Sequence, residues 1–339
     1  MPPTSESLDV VALAQRLMAI ESTSGREGEL MAHVHALLEH RGWTVTRIPV
    51  SEGRFAVFAR TGDAPFVTLS THLDTVPPFI PPRLDGDVLW GRGACDAKGI
   101  AAAMICAADR LRAGGPPAAL LFVVGEEVSH DGAHASNEWI RKRGLVSRAI
   151  VDGEPTESTL GRGTKGAMRV TVRTRGQPAH SAYPHLGHSA IDDLVQLLAG
   201  LPALELPHSD LFGPTTVNIG QISGGVADNV VAPWAEARLM ARTVSPAQDA
   251  MRVLERWAAG RAELEQGITV PPVELGVLPG FDTSIVAFAT DIPELGNWGT
   301  PYLFGPGSIH VAHRDDEHVR VAELRAAVDA YERIARALG

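Results

Sequence analysis

The sequence has little cysteine, no excess of positive charge and no long apolar run. Two cysteines, Cys95 and Cys106, are too few for a disulfide framework or a cysteine-based zinc site, and they favour a reducing, cytoplasmic location. The formal net charge of -10 argues against nucleic acid as the main partner. No uncharged apolar stretch is long enough to span a membrane, and residues 1–10 lack the pattern of a secretion signal. We therefore expect neither nucleic acid nor a membrane as a partner.

Apolar content and a regular alternation of segments are what the sequence does have. Hydrophobic residues make up 45% of the 339 positions, enough for a large core in one or two domains. Strand-like and helix-like segments alternate up to residue 152, an order typical of an α/β sheet with helices on both faces. Strands are predicted over 43–50, 55–60, 66–71, 119–124 and 148–152, and helices over 9–20, 27–41, 98–112 and 133–143.

The pattern changes near residue 165. From there the sequence predicts strand, helix, two strands, helix and strand, at 166–175, 189–200, 215–223, 232–243, 246–259 and 268–275. This is the order of a ferredoxin-like α+β unit. The α/β pattern then returns and ends in a helix. We therefore predict a domain of residues 166–275 inserted into a larger domain made of residues 1–165 and 276–339.

The predicted strand at 66–71, which contains an apolar run from Val67 to Leu69, leads to His72 and Asp74. Residues two apart on a strand share a face, so the carboxylate can orient the imidazole, as happens behind many metal-binding histidines. Asp96 then opens the helix at 98–112. This combination indicates a metal site, although a strand, a loop and a helix-capping aspartate without a metal would give the same pattern.

Two further strands end in acids. Glu126 and Glu127 follow one of them, and Asp152 and Glu154 follow the next. Carboxylates gathered at one sheet edge repel each other unless cations lie between them. Mixed imidazole and carboxylate ligands suit zinc, cobalt or manganese, and a shared carboxylate can bridge two such ions. One glutamate of the pair can then bind metal while the other accepts a proton from water, and Asp152 is interpreted as a supporting carboxylate.

Five pieces of sequence carry a resemblance to a known family. They read STHLDTVPP from residue 70, GRGACDAKG from 91, GEEVSHDGA from 125, DGEPT from 152 and GPGSIHVAHRDDEHV from 305. In this order they resemble the co-catalytic zinc amidohydrolases and exopeptidases, which include acetylornithine deacetylase, succinyl-diaminopimelate desuccinylase, aminoacylase and glutamate carboxypeptidase. The GPGSI piece looks closest to the acetylornithine deacetylase branch. The matching pieces span residues 70–319, nearly the whole chain.

The resemblance implies two divalent ions with one shared ligand. By family position, His72, Asp96 and Glu154 match the ligands of one ion. Asp96, Glu127 and His313 match the ligands of the other. Zinc is the expected metal, with cobalt or manganese as alternatives.

The late segment offers two histidines for the last ligand position. His313 lies four residues before Glu317, the spacing that the family places between ligand and glutamate, so we prefer His313 to His310. Asp74 matches the carboxylate that orients the histidine ligand. Glu126 matches the general base, which later protonates the leaving amine.

The inserted domain resembles the family's lid and dimerisation domain. His180 matches the lid histidine that polarises the scissile carbonyl, often from the partner subunit, and this implies a homodimer. Asn229 and Arg242 match residues that hold the carboxylate or acyl oxygens of the substrate. An arginine suits a carboxylate because its fork donates two parallel hydrogen bonds, and a solvated strand position is the alternative for Arg242.

The expected function is therefore a two-metal hydrolase that cleaves the amide bond of a small N-acyl amino acid with a metal-activated water. A dipeptidase, aminopeptidase or carboxypeptidase of the same family, acting on a short peptide, is the first alternative. The alternative from another class is a metal- or ligand-binding protein that kept the fold and lost the reaction. Loss of Glu126 or of a ligand would indicate it, and every matched position is intact.

Overall fold

The computed structural model describes residues 7–62 and 66–339. Residues 1–6, part of the stretch inspected for a secretion signal, lie outside the described residues. The helices are α1 Val10–Met18, α2 Gly28–His40, α3 Lys98–Leu111, α4 Asp131–Arg143, α5 Ala190–Ala199, α6 Ala247–Ala258 and α7 Val321–Leu338. The strands are β1 Thr44–Ser51, β2 Arg54–Arg60, β3 Phe66–His72, β4 Arg83–Asp85, β5 Val88–Trp90, β6 Ala118–Val123, β7 Ser147–Asp152, β8 Leu160–Thr164, β9 Gly166–Arg175, β10 His208–Ser209, β11 Gly213–Pro214, β12 Thr216–Gly224, β13 Trp234–Thr243, β14 Glu263–Val270, β15 Val273–Glu274, β16 Thr283–Val286, β17 Thr300–Leu303 and β18 His318–Arg320.

By its internal packing the chain divides into two units. The first unit contains the described residues up to Arg162 together with Leu275–Ser284 and Thr290–Gly339. The second unit contains Gly163–Glu274 and Ile285–Ala289. None of the described helices is long and apolar enough to cross a membrane.

The first unit is built on a six-stranded sheet in the order β1-β2-β6-β3-β7-β17. β3 runs parallel to both β6 and β7, and β17 runs parallel to β7, whereas β1 and β2 join antiparallel at one side. Parallel neighbours bring their carboxyl ends to the same edge of a sheet. The segments that follow β3, β6 and β7 therefore start side by side.

Helices cover both faces of this sheet. Along β2, Val57 and Ala59 pack into a core with α1, α2, α3 and α7. Ala56 and Phe58 of the same strand pack with α4 on the other face. β3 and β6 are buried along their whole length, as expected for strands covered on both sides. The α/β sheet predicted from the sequence is confirmed.

The second unit contains β9, α5, β12, β13, α6 and β14 in chain order, and its antiparallel sheet has the order β12-β13-β9-β14. Alternate residues of β9 and β13, such as Val172 and Ala237, pack against α5 and α6 on one face. Residues between them, such as Arg173 and Glu236, pair with each other on the opposite face. The ferredoxin-like α+β unit is confirmed.

Some strands differ from the sequence-based prediction. β14 begins at Glu263, five residues before the predicted strand, because its first half is exposed and polar and gives no apolar signal. β4, β5 and β18 have only three residues each, too few for a periodic pattern to be recognised.

Candidate metal centre

Three neighbouring strands of the first unit end in predicted ligands. β3 ends at His72, β6 is followed by Glu126 and Glu127, and β7 is followed by Glu154. Because these strands are parallel neighbours, their ends meet at one edge of the sheet. The sheet thereby gathers residues that are more than 80 positions apart in the chain.

Glycines allow the two acidic segments to turn at this edge. Gly125 has a positive φ of 76°, and a Cβ there would lie 2.2 Å from Oδ1 of Asp131. A Cβ at Gly153 would lie 2.5 Å from side-chain atoms of both Ile100 and Met104 on α3. A larger residue at either position would require the neighbouring side chains or the ligand-bearing segment to shift.

The first ligand group consists of His72, Asp96 and Glu154. Their donor atoms all lie within 4.8 Å of one another. Nε2 of His72 is 2.9 Å from Oδ1 of Asp96 and 3.9 Å from Oε1 of Glu154. All three residues are buried.

The second ligand group consists of Asp96, Glu127 and His313. Nε2 of His313 is 2.9 Å from Oε1 of Glu127 and 3.1 Å from Oδ2 of Asp96. The side chain of His313 is 49% exposed, so this group is open to solvent. The two carboxylate oxygens of Asp96 thus face two different imidazoles, which is the arrangement that a bridging ligand requires.

Asp74 holds several of these groups in place. Its backbone oxygen is 3.0 Å from Nδ1 of His72, and a carboxylate oxygen is 3.5 Å from the same nitrogen. Its carboxylate also accepts the backbone N–H groups of Glu126 and Glu127, at 3.1 and 3.2 Å, and the hydroxyl of Ser24, at 2.7 Å. One residue therefore fixes both the histidine and the glutamate pair. Nothing in the sequence pointed to Ser24, which lies 50 residues upstream.

The carboxylates at this edge disfavour each other's ionisation. Burial raises the pKa of Glu126; the charge of His72 opposes the rise, and the charges of Asp291 and Glu127 add to it. Burial also raises the pKa of Glu154, and Glu126 is the first neighbouring charge that adds to the effect. Positive charge placed among these carboxylates would relieve the repulsion.

The pKa values of His313 and Asp96 indicate that positive charge is favourable between these carboxylates. Hydrogen bonds to Asp96 and Glu127 raise the pKa of His313 to about 10. Burial alone would raise the pKa of Asp96, but hydrogen bonds from His313 and His72 bring it below its ordinary value. Two groups of one imidazole and two carboxylates are a donor set that suits zinc, cobalt or manganese. The residues present therefore fit two divalent cations.

The remaining three predicted site residues belong to the second unit. His180 and Asn229 are exposed and lie on neighbouring segments, because the N–H of Ser181 donates to the carbonyl oxygen of Asn229 at 3.0 Å. Arg242 is half-buried on β13. Its neighbour Ala241 packs against the helices, so Arg242 lies on the other sheet face. Burial lowers the pKa of Arg242.

Other acids and histidines of the sequence analysis lie outside both groups. His310 is exposed and belongs to neither ligand group in the described part of the chain. Asp152 is buried, and its Oδ2 has no hydrogen-bond partner among the described residues. Sequence reasoning gave no role to Arg92 and used Glu317 only as a spacing marker, yet both are fully buried beside the Asp96 segment. The available signal for Arg92 was its position as a charged residue between two glycines, Gly91 and Gly93.

Comparison with known proteins identifies the family. Residues 162–265 match the family model of a peptidase dimerisation domain. The chain is 40% identical to a probable carboxypeptidase of Aspergillus terreus, with 95% of this chain and 84% of that protein covered. It is 37% identical to a peptidase M20 domain-containing protein of Schizosaccharomyces pombe, with 96% and 84% covered. The chain belongs to the M20 peptidase family.

The fold agrees with this membership. An M20 family metallo-carboxypeptidase from Sulfolobus solfataricus superposes with a TM-score of 0.76 at 16% identity, covering 98% of this chain and 99% of that chain. As an M20 peptidase, the protein is a metal-dependent hydrolase of carbon–nitrogen bonds, and this part of the sequence-based prediction is confirmed. These relatives do not single out the acetylornithine deacetylase branch.

Proposed function

We propose that this M20 peptidase is a two-metal carboxypeptidase that releases the C-terminal residue of short peptides. The observation that carries the proposal is Asp96, whose two oxygens face His72 in one ligand group and His313 in the other. A relative of 40% identity is named a probable carboxypeptidase, and this supports a peptide substrate.

The chain's own residues would hold the two cations. His72, Asp96 and Glu154 would bind one, while Asp96, Glu127 and His313 would bind the other. Bound there, the cations supply the Lewis acidity that acidifies a water molecule and polarises a carbonyl group. Zinc is the proposed metal, with cobalt or manganese as alternatives.

Glu126 is the proposed proton carrier. Asp74 fixes its backbone at 3.1 Å, and Glu126 lies close enough to His72 for that charge to act on its pKa. Its carboxylate accepts the proton of the attacking water and returns it to the departing amine. Of the two neighbouring glutamates, Glu127 belongs to the second ligand group, which leaves Glu126 for this step.

His180 is the proposed donor to the scissile carbonyl oxygen. Its Nδ1 accepts the backbone N–H of Ala182 at 3.1 Å. In the neutral ring the proton must then reside on Nε2, so this nitrogen is a donor. A hydrogen bond from Nε2 would stabilise the charge that develops on the carbonyl oxygen.

Arg242 and Asn229 are the proposed contacts of the substrate's carboxylate or acyl oxygens. A guanidinium remains charged at neutral pH even when partly buried, and it can bind a carboxylate with two parallel hydrogen bonds. A peptide and an N-acyl amino acid both carry that carboxylate. Arg242 therefore supports an exopeptidase that needs a free C-terminus without distinguishing it from a deacylase.

Deacylation of an N-acyl amino acid is the second candidate. It is favoured by the GPGSI piece, which lies between Leu303 of β17 and His313. The backbone of this piece bonds the segment after Glu154, since the N–H groups of Glu157 and Ser158 donate to the carbonyls of Gly307 and Gly305.

A substrate panel separates the candidates. Full-length protein loaded with zinc, cobalt or manganese is assayed on N-blocked dipeptides with a free carboxylate, their C-terminal amides, free dipeptides, and N-acetyl and N-succinyl amino acids. A carboxypeptidase cleaves the N-blocked dipeptides and spares the amides. The Glu126→Gln protein is the matched control for contaminating activity.

The other outcomes overturn the proposal in different ways. Turnover of N-acyl amino acids alone identifies a deacylase, and a requirement for a free amine identifies an aminopeptidase or dipeptidase. No turnover by folded, metal-loaded protein would favour the non-catalytic alternative.

The second unit is also the proposed homodimerisation surface. β12 lies at one end of the sheet order, and among the described residues it pairs only with β13 along its length. Its side chains Ile219 and Ile222 are 38% and 59% exposed. An exposed apolar strand edge is a template for pairing with another strand. The match to a peptidase dimerisation domain supports a second copy of this chain as the occupant.

Light scattering on the purified full chain tests the dimer. Ile222→Lys is expected to convert a dimer to a monomer, because it places a charge in the proposed interface. Ile268→Lys, at an equally exposed position of β14 at the other end of the sheet, is the control and leaves the mass unchanged. A monomeric wild-type protein would contradict the proposal.

The proposed location is the cytoplasm. Cys95 and Cys106 are both buried free thiols, which suits a reducing compartment. Thiol titration of protein isolated from its native cells would check this, since both thiols should be found reduced.

A further inference from the structure

One buried carboxylate binds the whole segment that carries Asp96. Oε1 of Glu317 accepts the backbone N–H groups of Gly93, Cys95 and Asp96, at 2.9, 3.3 and 3.3 Å. The backbone carbonyl of Glu317 accepts the N–H of Gly91 at 3.0 Å. The Glu317 side chain is completely buried. The position of Asp96 thus depends on a residue more than 200 positions away.

Arg92 binds the same carboxylate and also the segment of His313. Its Nη1 is 2.7 Å from Oε2 of Glu317 and 3.0 Å from the carbonyl oxygen of Arg314, the residue after His313. Its Nε donates to the carbonyl oxygen of Pro78 at 3.3 Å. The Arg92 side chain is 1% exposed. This ion pair therefore contacts the backbone on both sides of the second ligand group.

We propose that Arg92 and Glu317 are a positioning pair that sets the separation of Asp96 and His313, and with it the metal affinity of the Asp96, Glu127 and His313 group. The inference rests on the proposed two-metal function. Neither residue is a ligand or a catalytic residue, because neither belongs to a ligand group among the described residues.

The two ligand groups should depend on this pair unequally. His72 and Glu154 are buried; His72 ends one sheet strand and Glu154 lies just after its neighbour, so the sheet itself holds them. His313 lies outside the helices and strands, is half-exposed, and has a positive φ of 64°, which is uncommon for a residue other than glycine. Its segment needs an external anchor, and the Arg314 carbonyl bound to Arg92 provides one.

Fold stability alone is a weak explanation for the pair. A buried ion pair often contributes little net stability, because the loss of hydration of both charges offsets their attraction. Another buried pair of the first unit, Glu27 with Arg54 at 2.8 Å, is equally enclosed on the carboxylate side, and neither of its residues belongs to a ligand group. It is the matched control.

The test measures metal binding to the apo full-length chain. Zinc and cobalt titrations by calorimetry and by cobalt absorption resolve two binding events in the wild type. His313→Ala and His72→Ala assign each event to its group. Arg92→Lys is then expected to weaken the His313-dependent event by about 10- to 100-fold, the usual effect of losing a supporting partner, with little change in the other event. Glu317→Gln also loosens the segment of Asp96, which is a ligand in both groups, so it is expected to weaken both events and the His313-dependent event more.

Several results would overturn the inference. Equal weakening of both events in Arg92→Lys, or a weakening of the same size in Glu27→Gln, would reduce the pair to a general structural role. Failure of both Glu317→Gln and Arg92→Lys to fold, while Glu27→Gln folds, would do the same. Unchanged affinities would remove the role altogether. If the wild type binds fewer than two metal ions, the proposed two-metal function fails instead, so the two failures are distinguishable.

Discussion

The two units of this M20 peptidase differ in how far most of their predicted site residues are buried. In the first unit, His72, Asp96 and Glu154 are at most 5% exposed, and His72 lies within hydrogen-bonding range of both Asp96 and Asp74. In the second unit, His180 and Asn229 are exposed. The first sheet is covered by helices on both faces, whereas the second is covered on one.

This contrast follows from what each set has to do. A metal ligand must be held still by several neighbours, so burial and second contacts accompany it. A residue that meets a substrate has to stay accessible, so few contacts within its own unit constrain it. Burial and contacts therefore support the assignment of metal ligands in the first unit. The substrate-binding roles proposed for residues of the second unit have to be tested by functional measurements.

The largest expected effect comes from Asp96, the residue shared by both ligand groups. Asp96→Asn replaces one of the two oxygens that face the imidazoles by an amide nitrogen, which cannot bridge two ions. Bound metal is expected to fall from about two equivalents to below one, with loss of hydrolysis. Metal analysis of the purified protein measures this.

Asp109→Asn is the control for that experiment. Asp109 lies on α3, the helix after Asp96. Its carboxylate pairs with Arg41 at a distance of 2.6 Å, and it belongs to neither ligand group. Two full equivalents of metal in Asp96→Asn would remove the bridging role.

Glu126→Gln is expected to give the next largest effect. The amide keeps the shape of the side chain but cannot accept a proton, so kcat should fall by about 10²- to 10⁴-fold while metal content is retained. Steady-state kinetics with parallel metal analysis separates the two quantities. Glu127→Gln, by contrast, should lower the metal content, because Glu127 belongs to the second ligand group. Metal loss in Glu126→Gln would make it a ligand rather than a proton carrier.

In the second unit, His180→Ala is expected to lower kcat by about 10²- to 10³-fold through loss of one hydrogen bond to the developing oxyanion. Because His180 is exposed, the melting temperature should not change. His185→Ala, a nearby exposed histidine, serves as the comparison. Equal kinetics of the two variants would leave the second unit without an assigned catalytic group.

The smallest expected effect concerns the buried core of the first unit. Burial raises the pKa of Cys106 to about 12, against about 8.5 for an unfolded thiol. Between these values the unfolded chain releases the proton first, so the folded state loses stability as pH rises, by up to about 1.4 kcal/mol per pH unit. Cys106→Ala has no thiol at this position, so this loss of stability with rising pH should be absent.

Urea unfolding of both proteins at pH 7.5 and pH 9.5 measures the effect. The difference in free energy of unfolding between the wild type and Cys106→Ala should be smaller at pH 9.5 than at pH 7.5. A pH-independent difference would mean that Cys106 is more hydrated than its 4% exposure indicates.

Much of the first unit could be predicted from local sequence. The continuous apolar strand before Glu126 gave a strong signal, since strands covered on both faces contain few polar residues, and the strand before His72 gave a weaker one because it includes Thr68, Ser70 and Thr71. The polar start of β14 gave none, because an exposed strand at the end of a sheet needs no apolar side chains. The short strands around the GPGSI piece were not recognised because three or four residues are too few to show a periodic pattern.

Sequence by itself determined the family, the α/β and ferredoxin-like architecture, and which acids and histidines follow strand ends. Those features depend on local periodicity and on motifs of a few residues. Only the tertiary structure decided that the two oxygens of Asp96 face His72 and His313, that Asp74 binds two backbone amides, and that Arg92 and Glu317 anchor the same segment. Such contacts join residues up to 225 positions apart, and their distances are set by how the strands and loops pack.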